Sequence, residues 1–253
     1  MVLCSPQSTH DPRVRTAHAN VKFEPRDFAT QGTALNKKFV ATLATVAWSV
    51  LTLAVAGVAL ADADSNSEAN ARGEVLFELC RQCHGQEGGG KQPFLAPAIA
   101  GLDQWYIESQ LSKFKAGTRG LHPQDLGGLR MYPMSQWLVN EADISAVAGF
   151  VAGLTTAPPV PTIEGGDAHK GEAAYALCAA CHGKAGEGNK VMNSPPLRGM
   201  SDWYLMTTLQ KFKDGVRGSN AENPTEMMMR GMAMSLTDEQ AMKDVIAHIM
   251  TLK

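Results

Sequence analysis

The sequence predicts an all-α protein made of two tandem domains, and three observations carry that expectation. The 253-residue chain repeats itself at a constant offset of 98. Its apolar residues recur at helical spacing, and no run alternates in the way a strand requires. Its composition, 44% hydrophobic and 19% charged, is that of a folded globular chain rather than a disordered one.

The repeat is specific. Adding 98 carries Cys80, Cys83 and His84 onto Cys178, Cys181 and His182, Pro97 onto Pro195, Gly101 onto Gly199 and Trp105-Tyr106 onto Trp203-Tyr204. The stretch LSKFKAGTRG beginning at Leu111 recurs as LQKFKDGVRG beginning at Leu209, and Met131, Met134 and Leu138 recur as Met229, Met232 and Leu236. From Gly73 to Leu138, 23 of 66 positions are identical without a gap. Duplication accounts for the chain.

Taken in order, residues 1–36 form a mixed segment with Pro6, Pro12 and Pro25, expected to be an extension outside the mature protein. Residues 37–61 place two lysines before a long apolar run that ends in Ala59-Leu60-Ala61, the layout of a secretory signal cleaved before Asp62. The run from Phe39 to Leu60 is also long enough to span a bilayer, so a retained membrane anchor is the competing expectation. Export to the periplasm follows from either reading, with membrane association from the second. The rest divides into a first domain over 62–158 and a second over 159–253, joined by TTAPPVPTIEGGDAH, whose prolines stiffen an extended connection.

Each domain predicts three helices. GEVLFELCRQCH and GEAAYALCAACH run into the cysteine motifs, and DQWYIESQLSKFKAG and SDWYLMTTLQKFKDG are longer amphipathic segments. The third helices follow Asn140 and Thr237, residues suited to capping. About 95 residues with three helices and glycine-rich loops make a thin apolar core, so something else must fill the centre.

CRQCH and CAACH say what. Two thiols three positions apart lie on one side of a helical turn, and each can add across one of two neighbouring haem vinyl groups while the adjacent imidazole reaches the iron. Cys80, Cys83, Cys178 and Cys181 are therefore the expected attachment points of two haem c groups, with His84 and His182 as iron ligands. A shared zinc site fits poorly, because the two CxxC pairs lie 98 residues apart and each has its own histidine. A redox dithiol would need a preceding strand. The formal net charge of −2 offers no surplus of cations for a nucleic-acid partner.

A sixth ligand should repeat. His122 faces Asn220 and His248 faces Phe150, so neither does, whereas Met131/Met229 and Met134/Met232 both do. Residue type alone leaves the two methionine pairs open. Lys113, Lys115, Lys211 and Lys213 read by default as a solvated helix face, and Arg119 and Arg217 suit haem propionates because guanidinium matches a carboxylate's two oxygens.

CxxCH, a proline four positions before a glycine, Tyr-x-x-x-x-Leu-x-x-Phe-Lys-x-Gly-x-Arg, and Met-x-x-Met before a leucine resemble the di-haem cytochrome c4 family over residues 70–253. The resemblance implies two tandem class I cytochrome c domains, with Met131 and Met229 as axial ligands and Met134 and Met232 as runners-up. It implies that the Pro97 and Pro195 carbonyls hold the histidines, and that first and last helices cross at Gly73/Phe77 with Phe150 and at Gly171/Tyr175 with His248. Its implied function is electron transfer between respiratory proteins, such as a donor complex and a terminal oxidase or reductase, without catalysis. The alternative is the cytochrome subunit of a flavoprotein dehydrogenase of the sulfide-oxidising type; a di-haem peroxidase or thiosulfate-oxidising enzyme would need an open iron.

Protein made in a host able to attach haem should carry two added masses of about 0.6 kDa each by intact mass spectrometry. A mature chain without them would remove the basis of this reading.

Overall fold

The computed structural model describes residues 66–252. The extension and the signal or anchor expected over residues 1–61 lie outside them. Within that span the fold is helical, and two isolated bridges, Lys91 with Ala96 and Asn189 with Ser194, are its sole extended pairings.

Helix α1 covers residues 66–84 and delivers the first cysteine motif; Gly85, at φ 87°, turns the chain out of it in a conformation other residues resist. Helix α2 (Gln104–Lys115) and α4 (Glu141–Ala152) pack on one another, with α3 (Leu126–Gln136) against α2. The second domain repeats this with α5 (Ala168–His182), α6 (Asp202–Lys213), α7 (Pro224–Ala233) and α8 (Glu239–Ile249). Asn140 caps α4 as expected, its side chain accepting from the Asp143 amide at 2.9 Å. At α8 the cap is Asp238 rather than Thr237, because its carboxylate reaches the Ala241 amide at 2.8 Å.

Each domain thus has four helices, not three. Helix α3 escapes a sequence reading because Gly127, Gly128 and Pro133 sit inside it, residues that weaken or interrupt helices. It forms because Asp125 caps it, accepting from Gly128 N at 2.9 Å. Helix α7 starts with Pro224 in the first turn, where no donor is lost.

The apolar cores are small and sit where the first and last helices cross. Leu76, Phe77, Leu138, Ile144, Val147 and Val151 form the first. Met242, Val245, Ile246 and Ile249 with Tyr175 anchor the second, which continues to Leu102 and Tyr106 of the first domain. At the crossings the backbones touch: a methyl on Gly73 would collide with the Ala146 carbonyl and Phe150 Cβ, and one on Gly171 with the Asp244 carbonyl. Phe77 stacks at 5.5 Å on Phe150, and Tyr175 at 5.1 Å on His248. His248 is a packing residue here, as the resemblance implied.

The linker is tied to the second domain: Ile163 N donates to Asp202 at 2.6 Å, Asp167 N to Asp244 at 2.8 Å and Gln240 Nε2 to the Gly165 carbonyl at 2.7 Å.

The lysines do not form a solvated face. Lys113 crosses to Glu226 at 3.3 Å and Lys211 crosses back to Asp125 at 2.7 Å, both carboxylates being nearly inaccessible. Lys115 and Lys213 donate to the Leu138 and Leu236 carbonyls. Lys113 and Lys211 find partners because their helix faces meet the other domain, whereas Lys115 and Lys213 are held by carbonyls of their own domain. Arg119 donates to the Tyr204 hydroxyl at 3.1 Å, and Asn223 Nδ2 to the Thr118 carbonyl at 3.0 Å.

Two outcomes test this packing. Gly73→Ala should cost about 3 kcal/mol in denaturant unfolding, since a rigid backbone, not a flexible side chain, receives the methyl. Burial alone would raise the Glu226 carboxyl, but Arg217, Arg119 and Lys113 bring it down to about 2. A depressed acid stabilises the fold above its ordinary value and loses that contribution as pH falls through the folded one. Thermal stability followed downward from pH 5 should therefore decline progressively towards pH 2, and Glu226→Gln should flatten that decline.

Candidate functional site

The end of α1 sets Cys80 and Cys83 on one side of a turn with His84 behind them, and the end of α5 does the same with Cys178, Cys181 and His182. None of these four cysteines is in a disulfide. Both histidines are 6% exposed. His84 Nδ1–H donates to the Pro97 carbonyl at 2.8 Å, and His182 Nδ1–H to that of Pro195 at 2.8 Å. Burial lowers both imidazole pKa values, with the proline carbonyls opposing in part, so the neutral ring is favoured. With Nδ1 engaged, Nε2 carries the free lone pair.

The proline is brought close by a loop that only glycine can make. Gly90, at φ 84°, has Pro97 and Ala98 backbone atoms where a Cβ would be, and Gly188 meets Pro195 and Pro196 in the same way.

Each motif opens into a largely apolar cavity. The first, about 310 Å³, takes Cys80, Cys83, His84, Pro97, Met131 and Met134 into its lining; the second, about 400 Å³, takes Cys178, Cys181, His182, Pro195, Met229 and Met232. The structure so brings the eight residues expected from the sequence into two groups of four. In each cavity the first methionine of the pair is half-buried, while Met134 and Met232 are 41% and 38% exposed.

A single-domain reading misses what the other half contributes. Trp203, Tyr204, Thr207 and Lys211 line the first cavity, and Gln110 and Lys113 the second. Tyr106 and Tyr204 line both. The repeated Trp-Tyr pair was the visible signal, without indicating that it faces across domains. Burial and the Tyr204 phenol push Tyr106 up to about 12. Burial would raise Tyr204 as well, but the Arg119 and Arg217 guanidiniums bring it down to about 8.

These surroundings fit haem. The walls are apolar, the thiols are free, and an imidazole nitrogen is available in each. Arg119 and Arg217 line the cavities with Nε atoms that are buried and unpartnered among the described residues, as donors for propionate would be. No cluster of His, Cys, Asp and Glu among the described residues suits a bare metal ion.

A helical domain whose CxxCH helix ends in an apolar cavity, built twice, defines a c-type cytochrome with two haems. The cytochrome c family model matches residues 70–155 and again 168–253. Cytochrome c4 of Azotobacter vinelandii is 30% identical over 210 residues, 78% of this chain and 92% of that protein. The thiosulfate dehydrogenase electron acceptor of Stutzerimonas stutzeri is 31% identical over 182 residues, 67% of this chain and 78% of that one. The crystal structure of reduced cytochrome c4 from Pseudomonas stutzeri aligns with a TM-score of 0.59 at 25% identity, covering 73% of this chain and 98% of that one. The chain belongs to the cytochrome c family, in its di-haem cytochrome c4 group. It is an electron carrier with two covalently bound haem c, attached through Cys80 and Cys83 and through Cys178 and Cys181.

Proposed function

We propose that this is an exported di-haem carrier that moves electrons between respiratory redox proteins, with His84/Met131 and His182/Met229 closing the two irons. The observation that supports it best is the matched pairing: each cavity sets a proline-held imidazole and a half-buried methionine among the same lining residues. The group supplies one-electron chemistry, and His/Met ligation favours the ferrous state relative to bis-histidine sites. The chain's own part is to hold each histidine in one tautomer, exclude water with apolar walls, and leave no position for a substrate.

Export rests on the sequence of residues 37–61; no described helix is long and apolar enough to cross a membrane. The donor and acceptor are redox proteins, such as a donor complex and a terminal oxidase. Kinship with a protein named as an electron acceptor of thiosulfate dehydrogenase supports a second reading, in which the chain serves a dehydrogenase directly, as a flavoprotein partner or a comparable subunit. A dehydrogenase that stays bound through ion exchange would favour that reading.

In the oxidised protein, Met131→Ala and Met229→Ala should each remove about half of the weak far-red band that sulfur-to-iron ligation produces. Each variant should also let one of the two reduced haems bind carbon monoxide, which the parent protein should not do. Loss of the band in Met134→Ala instead would reassign the ligand, and rapid carbon monoxide binding by the parent protein would replace carrier with enzyme.

A further inference from the structure

The repeat preserves the frame of each cavity but not its rim. Phe94, Leu95, Leu126, Met134 and Trp137 line the first cavity and are exposed to solvent as well, Trp137 by 62% and Leu126 by 61%. Adding 98 gives Met192, Asn193, Pro224, Met232 and Ser235. At these positions the second rim keeps two thioethers, loses both aromatics and gains two polar side chains. A tryptophan held in water beside exposed leucines marks a surface made to be covered, since isolated apolar residues are common on proteins but clustered ones are not.

Charge separates the two rims further. Residues 91–96 and 121–140, which carry the first rim, expose Lys91 and Arg130 and no carboxylate; their one acid, Asp125, is buried and paired with Lys211. Both cations are fixed at the mouth: Arg130 Nη1 donates to the Phe94 carbonyl at 2.8 Å, and Lys91 Nζ lies 5.7 Å from the Phe94 ring centre. Their counterparts are the neutral Met228 and Asn189. In the matching segments of the second domain, exposed Lys190 and Arg230 are offset by exposed Glu222 and Asp238. The chain as a whole is formally −2, so the cationic rim is a local feature.

We propose that the rim of the first cavity, centred on Trp137 and flanked by Lys91 and Arg130, is the docking surface for a redox protein whose own apolar contact patch is bordered by carboxylates. The inference rests on the carrier reading. Tryptophan and arginine are the side chains that anchor protein interfaces, and exposed cations with no acid among them steer an acidic partner while repelling a basic one. A second copy of this chain would bring like charges together, and a bilayer offers no redox centre to face the cavity. Exchange at this surface moves one electron, oxidising one protein as the other is reduced, with no proton required.

Stopped-flow electron exchange tests it, with the reduced, haem-loaded full chain as donor and an oxidised acidic blue-copper protein as the probe. Raising the ionic strength from about 0.01 M to about 0.15 M should slow the exchange about tenfold, because attraction between exposed charges is then screened. Arg130→Met, which installs the second domain's residue, should lower the low-salt rate about threefold and flatten the salt dependence. Trp137→Ser should lower the rate about tenfold at every ionic strength. Lys190→Gln, in the corresponding loop of the second domain, should change nothing. Oxidation of all three variants by tris(phenanthroline)cobalt(III), which needs no protein contact, should match the parent and so separate lost docking from misfolding. A rate indifferent to salt and to both rim variants overturns the docking surface while the carrier stands. Binding to anionic phospholipid vesicles, or dimerisation in sedimentation, that Trp137→Ser abolishes would overturn it too, by giving the rim to a bilayer or a second copy. If the cobalt complex does not take one electron from each of two haems in the parent protein, the carrier reading itself fails.

Discussion

The hydrogen bond from each histidine Nδ1 to a proline carbonyl, 2.8 Å in both domains, is the constraint on which the rest of the structure depends. It selects one tautomer and one ring orientation for an imidazole that is also anchored through its helix, and so points Nε2 into the cavity. To make that bond, the chain must leave the helix at Gly85 or Gly183, return through a left-handed glycine at Gly90 or Gly188, and bring the proline back over the ring. The glycines, the proline and the cysteine spacing are thus one device. Each half of the protein builds it with the same residues.

The cores are organised around this device rather than independently of it. Each domain packs its first helix against its last through a glycine, and this crossing contains most of the fully buried side chains. What remains between α2, α3 and the cysteine helix is apolar lining around a cavity. A domain of this size that leaves its centre to a cofactor couples stability to cofactor retention, and covalent attachment removes the possibility of loss by dissociation.

Much of this is legible in the sequence, for reasons that differ by element. The cysteine helices and α2/α6 are visible because their periodicity and repeated motifs agree, and the glycine contacts of the crossing follow from family likeness. Helices α3 and α7 present the methionines; α3 is hidden behind Gly127, Gly128 and Pro133, since propensity opposes it and Asp125 capping with tertiary contact prevails. The interface is hidden for another reason. An offset of 98 aligns each residue with its counterpart, whereas the fold pairs Lys113 with Glu226 and Lys211 with Asp125, and neither acid has an acidic counterpart in the other half. The carboxylate that each lysine meets comes from a different turn in the two domains. Repeat analysis finds what duplication preserved, while the contacts between the copies lie largely in what has diverged.

That divergence bears on why ionised groups are buried at all where the domains meet. As stabilising elements, such pairs do poorly against apolar replacements of similar shape, because desolvation offsets most of their attraction. Their placement gives them another effect. Lys113 lines the cavity of the second domain and Lys211 that of the first, so each domain inserts a cation into the wall of the other's site. Tyr106 and Tyr204 belong to both walls, and Arg119 reaches across to Tyr204. In water these charges would act over little distance; enclosed between two domains they act on both cavities at once. Separating the domains would therefore alter more than the path between the sites, because each site would lose part of the electrostatic surroundings that set its affinity for an electron.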